Sequence, residues 1–212
     1  MHIAIIGASG GVGKQVVEQA LEQGHTVRAF ARNPGKIETE HDQLEKIQGD
    51  AQQLEAVESA IEGVDAVICT LGAPSSNKNK PRTHGTRNLV RAMKNQGIKR
   101  IICVSSIGVA ESRVMLPFFV RYIVMGIMLK SAMDDHATQE IAVKNSDLDW
   151  TIVRPGQLTD DPLTGNYKYG FLYNDKTVNL NPIARADVAD FILKQLEEDL
   201  YVHQAVGIVG YE

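Results

Sequence analysis

Cysteine is scarce in this 212-residue chain: Cys69 and Cys103 are the only two, each set in an apolar run (AVICT and RIICV). Neither forms a Cys-x-x-Cys pair, which excludes a disulfide framework or a zinc site and leaves reduced core thiols in a cytoplasmic protein as the expectation. The six histidines are scattered and no His-Glu-x-x-His or comparable ligand set occurs, so no metal site is expected. A basic surplus is also missing. The formal charge of -4 argues against a dedicated nucleic-acid binder. The longest apolar stretch, 115–129, is too short to span a bilayer and carries Arg121 near its middle, so no membrane span is expected. The start MHIAIIG has no basic leader region, and no internal repeat or low-complexity tract interrupts the chain.

What is present is a globular composition, 43% hydrophobic and 23% charged, at a length that suits one domain spanning 1–212. Short β-rich apolar runs alternate with stretches of helical periodicity. Strands are expected at 2–6, 25–30, 45–48, 65–70, 100–105, 149–154 and 205–209, and helices at 11–23, 53–61, 82–96, 131–145 and 185–198. That alternation predicts an α/β fold: a single doubly wound, mainly parallel Rossmann-like sheet with helices on both faces. The stretch 74–83 (PSSNKNKPRT) reads as a loop, and 160–180 as an irregular appendage over the sheet edge.

The most informative segment is the first strand, the turn Gly7-Ala8-Ser9-Gly10-Gly11-Val12-Gly13 and the helix that follows. A dinucleotide needs a tight turn at Gly7, close backbone approach to a pyrophosphate at Gly10, and close helix-on-strand packing at Gly13. The helix N-terminus then offers free N–H groups to the phosphates. After the second strand, where an NAD-specific site would place an acid, the chain has Phe30-Ala31-Arg32-Asn33-Pro34, with Lys36 beyond. Arg32 and Lys36 can hold a 2′-phosphate, which favours NADP over NAD; the alternative is a solvated loop arginine.

Other residues gather at expected strand ends, where ligands bind in doubly wound sheets. Asp50, after Gly49, could accept from an adenine amino group or cap the next helix. Leu71-Gly72 allows backbone approach to a cofactor. Ser105-Ser106 could orient a nicotinamide or a substrate carbonyl, or cap. Asp134-Asp135 is expected to stabilise the first turn of its helix, and His136 could hydrogen-bond cofactor or substrate or be a surface histidine. Between Ala66 and Ala110 there are eight Lys or Arg and no acid. Most are expected on a solvated helix face, with those from Lys78 to Arg82 able to attract an anionic substrate.

Taken together, GASGGVG at Gly7 to Gly13, Arg32, Gly49-Asp50, Leu71-Gly72, Val104-Ser105-Ser106 and Thr151-Ile152-Val153-Arg154-Pro155-Gly156 resemble the atypical short-chain dehydrogenase/reductase superfamily, including its NmrA-like members. Asp134-Asp135-His136 and the segment Asp161 to Tyr167 are similar to the biliverdin-IXβ reductase or flavin reductase family. The resemblance implies an NADPH-binding oxidoreductase passing hydride to flavins or biliverdin. It also implies residue roles. Gly7, Ser9, Gly10, Gly11, Val12 and Gly13 would hold the pyrophosphate, Arg32 and Lys36 the 2′-phosphate, Asp50 and Ala51 the adenine, and Leu71, Gly72 and Ala73 the ribose side. Ser105, Pro155, Gly156 and Gln157 complete the cofactor crevice, while Ser106 and His136 match the catalytic positions.

Two departures qualify the substrate. The superfamily's Tyr-x-x-x-Lys pair would fall at Ala132 and His136, so the tyrosine acid is absent. Pro155-Gly156-Gln157 replaces a Pro-Pro-His. The segment 112–130, rich in Met, Phe and Tyr, is expected to form a pocket wall, a core helix or an oligomer contact. The expectation is an NADPH-dependent reductase of a flat conjugated small-molecule acceptor (free FMN or FAD, a tetrapyrrole or a quinone), with no nucleic-acid or membrane partner, acting as monomer or homodimer. The alternative is a non-catalytic NADP(H)-binding sensor of the NmrA-like kind.

Overall fold

The computed structural model describes residues 1–175 and 178–211. Eight strands form one sheet in the order β3-β2-β1-β4-β5-β6-β10-β8. In chain order these are β1 (His2–Ile6), β2 (Thr26–Ala31), β3 (Leu44–Gln48), β4 (Ala66–Cys69), β5 (Arg100–Val104), β6 (Asp149–Pro155), β8 (Tyr167–Gly170) and β10 (Gln204–Gly210); β7 (Leu158–Thr159) pairs separately with β9 (Ile183–Ala184). Every pairing is parallel except β8 against β10. The helices are α1 (Gly11–Glu22), α2 (Leu54–Ala60), α3 (Pro81–Gln96), α4 (Lys130–Lys144) and α5 (Arg185–Glu197).

Strand β1 shows why both faces must be covered. Ile3 and Ile5 point into one core with Val16 and Val17 of α1 and Phe191 and Ile192 of α5. Ala4 and Ile6 point into the other with Val57 of α2, Leu89 of α3 and Val143 of α4. These four of the five β1 side chains are fully buried, as the period of two requires for a parallel strand sandwiched between helices. Cys69 and Cys103 are free, buried and opposite each other on β4 and β5.

The expected Rossmann-like α/β fold is the one observed, with element ends shifted by a residue or so. Three expectations change. Helix α3 already starts at Pro81, a residue preset for the first helical turn, so the loop ends at Lys80, whose φ of 47° lets the chain reverse into the helix. The segment 160–180 is no simple appendage: β8 lies within it and closes the sheet edge antiparallel to β10, while Asp187 accepts from the Thr164 N–H, the Thr164 hydroxyl and the Gly165 N–H, each at 2.8 Å. A π-helical stretch, Val120–Met128, occupies the apolar run before α4.

The glycine turn is packed against backbone on both sides. Gly7 has φ +94°, and a Cβ on Gly13 would sit 2.5 Å from the Gly7 carbonyl oxygen and 2.9 Å from Ala8 Cα. We expect Gly13→Ala to push α1 off β1 and cost about 1–3 kcal/mol, the range of overpacking substitutions. Urea unfolding checks this; a midpoint equal to that of the parent chain would show that the contact yields freely.

Candidate active site

The carboxyl ends of the parallel strands open onto three cavities in a row, as expected for a doubly wound sheet. The first, about 350 Å³, is lined by the glycine turn, Arg32, Lys36, Asp50, Ala51 and the segment 71–74. The second, about 300 Å³, shares Gly10, Leu71 and Gly72 with it and adds Ser105, Ser106, His136, Arg82 and Arg185. The third, about 770 Å³, meets the second at Ser106, Pro155 and Gly156 and is otherwise mostly apolar, with Gln157 and Asn179 as its other polar lining. They form one groove from the tip of β2 to the helix ahead of α4.

At the first cavity, Gly7 and Ala8 N–H groups bind the Phe30 carbonyl at 3.0 and 3.2 Å, drawing the turn over the end of β2. No side chain caps α1, whose N-cap is Gly10. Its first N–H groups therefore face the groove, an arrangement suited to phosphate oxygens. Arg32 and Lys36 are exposed on the rim, and no acid stands at the end of β2. Asp50 Oδ1 accepts from the Gln52 N–H at 3.0 Å, so its carboxylate also shapes the turn into α2. The Asn88 amide donates to the Ala51 carbonyl at 3.0 Å and fixes that wall. A methyl group on Gly72 would meet nothing within 4 Å, so the space there belongs to the groove rather than to packing.

The second cavity is organised by α4. Asp135, buried, accepts from the backbone N–H groups of Arg82 and Thr83 at 3.1 and 2.9 Å and from the Thr83 hydroxyl at 2.7 Å. It thus caps α3 from another helix. Because α4 begins at Lys130, Asp134-Asp135 does not stabilise its first turn as expected; Asp134 pairs with Lys130 and Asp135 serves α3. Burial alone would raise the Asp135 carboxyl, but the Thr83 and Arg82 donors outweigh it and hold the group below the usual range. Arg82, expected among the loop cations able to attract an anionic substrate, is buried instead, donating to Asp135 and to the Ala73 carbonyl at 3.0 Å. Its Nε has no partner among the described residues.

His136 lies in this cavity wall, and its Nδ1 also has no partner among the described residues. Burial, helped by the Arg82 charge, lowers its pKa to about 4. The imidazole is therefore neutral near pH 7, a hydrogen-bonding group rather than a standing acid. The two serines separate. Ser105 is buried and its hydroxyl donates to Glu140 Oε1 at 2.8 Å, which anchors the wall and turns that hydroxyl away from a ligand. Glu140 also holds buried Arg154, at 2.7 and 2.6 Å, and Arg154 reaches Glu111. Ser106, half-buried, donates to the Ile107 carbonyl at 3.0 Å and sits where the second and third cavities join. Pro155 and Gly156 also line that junction, while Gln157 faces the third cavity.

Sequence reasoning misplaced one cation of the site and missed another. Arg82 reads as a loop residue until Asp135 is placed beside it. Arg185 follows β9, whose pairing with β7 brings it next to Asp160. Its guanidinium pairs with Asp160 at 2.6 Å, while its Cδ and Nε lie 2.6 Å from the position of a Cβ on Gly11. Nothing in local sequence puts residue 185 over residue 11. The residues present fit a dinucleotide: glycines that admit no side chain, an uncapped helix start, cations at the rim and orphaned buried nitrogens in the wall.

Comparison with known proteins defines the class. The model of the NAD(P)H-binding family matches residues 7–199, and the chain belongs to that family. It is 31% identical to an uncharacterized chloroplastic protein of Arabidopsis thaliana, over 98% of this chain and 76% of that one. It is 28% identical to the photosystem II assembly factor Ycf39 of Synechocystis, over 99% of this chain but only 63% of the longer relative. Among solved structures, the fold superimposes on an NADP complex of a short-chain dehydrogenase/reductase from Veillonella parvula (TM-score 0.81, 18% identity, 98% and 94% of the chains). It also superimposes on ChuY, an anaerobilin reductase from Escherichia coli O157:H7 (TM-score 0.80, 24% identity, 100% and 98%). The chain is thus an NAD(P)H-binding protein whose Rossmann fold is like that of oxidoreductases. Among the described residues no helix is long and apolar enough to cross a membrane.

The buried His136 sets a pH test. Its proton is lost near pH 4 in the native state and near pH 6.5 in the unfolded chain, so between these values the unfolded state binds more protons and stability falls as pH falls. We expect His136→Gln to flatten that decline. Urea midpoints measured from pH 7 to pH 4 decide it, and equal slopes in both proteins would put the imidazole in solvent.

Proposed function

We propose that the chain is an NADPH-dependent reductase that transfers hydride to a flat conjugated acceptor. The observation that carries this is the continuity of the groove: a phosphate-binding turn, a polar mid-section and an apolar chamber meet at Ser106, Pro155 and Gly156. NADPH, when bound, supplies the hydride; the chain binds, orients and excludes water. The glycine turn and the α1 N-terminus hold the diphosphate, with Arg185 beside them. Arg32 and Lys36 take the 2′-phosphate, and Asp50 with Ala51 frames the adenine. His136 and the Ser106 hydroxyl offer hydrogen bonds at the nicotinamide end.

The acceptor follows from what the mid-section lacks. Carbonyl reduction of the usual kind uses a tyrosine acid, and Ala132 stands in its place. A neutral His136 and a serine supply no strong acid at pH 7. A conjugated acceptor needs none, because the reduced product can take its proton from solvent. The anaerobilin reductase with the same fold is compatible with this acceptor shape. The same missing tyrosine, together with a relative that is an assembly factor, favours a second reading: an NADP(H)-binding protein that signals cofactor occupancy to a partner without turnover.

Anaerobic loss of NADPH absorbance with excess FMN, riboflavin or a quinone separates the two. Saturable oxidation is expected; tight NADPH binding with no oxidation by any of them would favour the sensor. Arg32→Ala is expected to weaken NADPH binding about 10- to 100-fold, the worth of a charged hydrogen bond, with little effect on NADH. Fluorescence titration measures both, and equal losses would remove Arg32 from the 2′-phosphate.

A further inference from the structure

The third cavity has a chemistry that the cofactor site does not explain. One wall is the π-helical stretch, where Leu129 N–H bonds the Val124 carbonyl five residues back at 2.8 Å. This wider turn brings Val120, Val124, Met125 and Leu129 to the cavity, with Met115 and Leu116 just before. Val178 and Leu180 pack in the same apolar cluster from the segment after β8. Polar lining comes from Ser106, Gln157 and Asn179, and no described lining residue carries a charge. Arg121, the single charge within the run 115–129, donates to the Val114 and Leu116 carbonyls and so secures the wall rather than facing the cavity.

Such a space, about 770 Å³, suits a ligand of drug-like size whose surface is mostly apolar. A phosphate or carboxylate held against the described lining residues would lose its hydration without gaining a cation from any of them, a costly exchange. Methionines at the wall adapt to irregular ring edges and contact aromatic faces favourably. Ser106 stands at the junction with the nicotinamide cavity, where its hydroxyl, by turning from the Ile107 carbonyl it now donates to, can donate to a ring carbonyl oxygen instead.

We propose that this chamber takes an uncharged ring acceptor bearing hydrocarbon substituents, the quinone class, in preference to phosphorylated flavins or acid-bearing tetrapyrroles. The proposal rests on the reductase reading and narrows its substrate. The acceptor gains two electrons and two protons, as one hydride from NADPH and one proton from solvent. The products are the hydroquinone and NADP⁺, and no further reactant is needed.

Two ligand pairs test it by equilibrium dialysis against the full chain with saturating NADP⁺. Riboflavin and FMN share a ring and differ by a phosphate; a methoxybenzoquinone with and without a decyl tail differ only in hydrocarbon. We expect riboflavin to bind at least tenfold tighter than FMN, and the tailed quinone at least tenfold tighter than the tailless one. FMN equal to riboflavin, or no gain from the tail, would overturn the proposal. Val124→Asp is expected to reduce binding of the tailed quinone at least tenfold while NADPH affinity holds. Should that variant fail to fold, Val124→Thr, equal in shape, should show a smaller loss in the same direction. Unchanged quinone affinity in a folded variant would place the ligand elsewhere. Binding in the expected order with no NADPH oxidation would overturn the reductase reading and leave the chamber's preference standing.

Discussion

Helix α4 is fixed to α3 and to the sheet by two buried carboxylates, and the groove takes its shape from them. Asp135 reaches across to cap α3 and hold Arg82; Glu140, further along the same helix, takes the Ser105 hydroxyl and the Arg154 guanidinium from the ends of β5 and β6. Each carboxylate has several donors, which is the condition under which a buried charge is tolerated, and removing a partner from such a pair typically costs about 3–5 kcal/mol. Because both grip one rigid helix, the position of His136 between them follows. So does the direction from which the apolar stretch before α4 arrives over the strand ends.

The groove is graded in polarity from one end to the other. Exposed Arg32 and Lys36 stand at the start, α1 presents N–H groups next, Arg185 and Arg82 flank the middle, and the far chamber is apolar. An elongated ligand with phosphates at one end and an aromatic ring at the other matches that order. The gradient also explains the imidazole. His136 sits where burial and the Arg82 charge both oppose protonation, so it remains neutral, and the mid-section orients groups without donating a proton strongly.

Much of the fold was legible because its causes are local. Alternation of buried strands with amphipathic helices is written in the order of residues, and GASGGVG between a strand and a helix has few other uses. The glycine contacts bear out the physical demand, since a methyl at residue 13 meets backbone. Where reading failed, the deciding partner was remote. Asp135 looked like an ornament of its own helix and instead serves α3, whose start is some fifty residues earlier. Ser105 and Ser106 are adjacent in sequence yet divide between a buried network and the groove, because one faces Glu140 and the other the junction. The segment 160–180 hid β8, whose edge position and short length leave little periodicity to detect.

By itself, then, the sequence determined the α/β sheet, its glycine-rich phosphate turn and the cationic tip of β2, since propensity, periodicity and turn sterics act between near neighbours. Tertiary structure alone decided which polar side chains face the groove and which brace it, that Arg185 lies over Gly11, and that the run 115–129 has an inner side lining a chamber as well as exposed residues such as Phe118 and Ile127. Those outcomes depend on contacts between segments far apart in the chain, where the fate of a charge is set by the partner that the fold delivers.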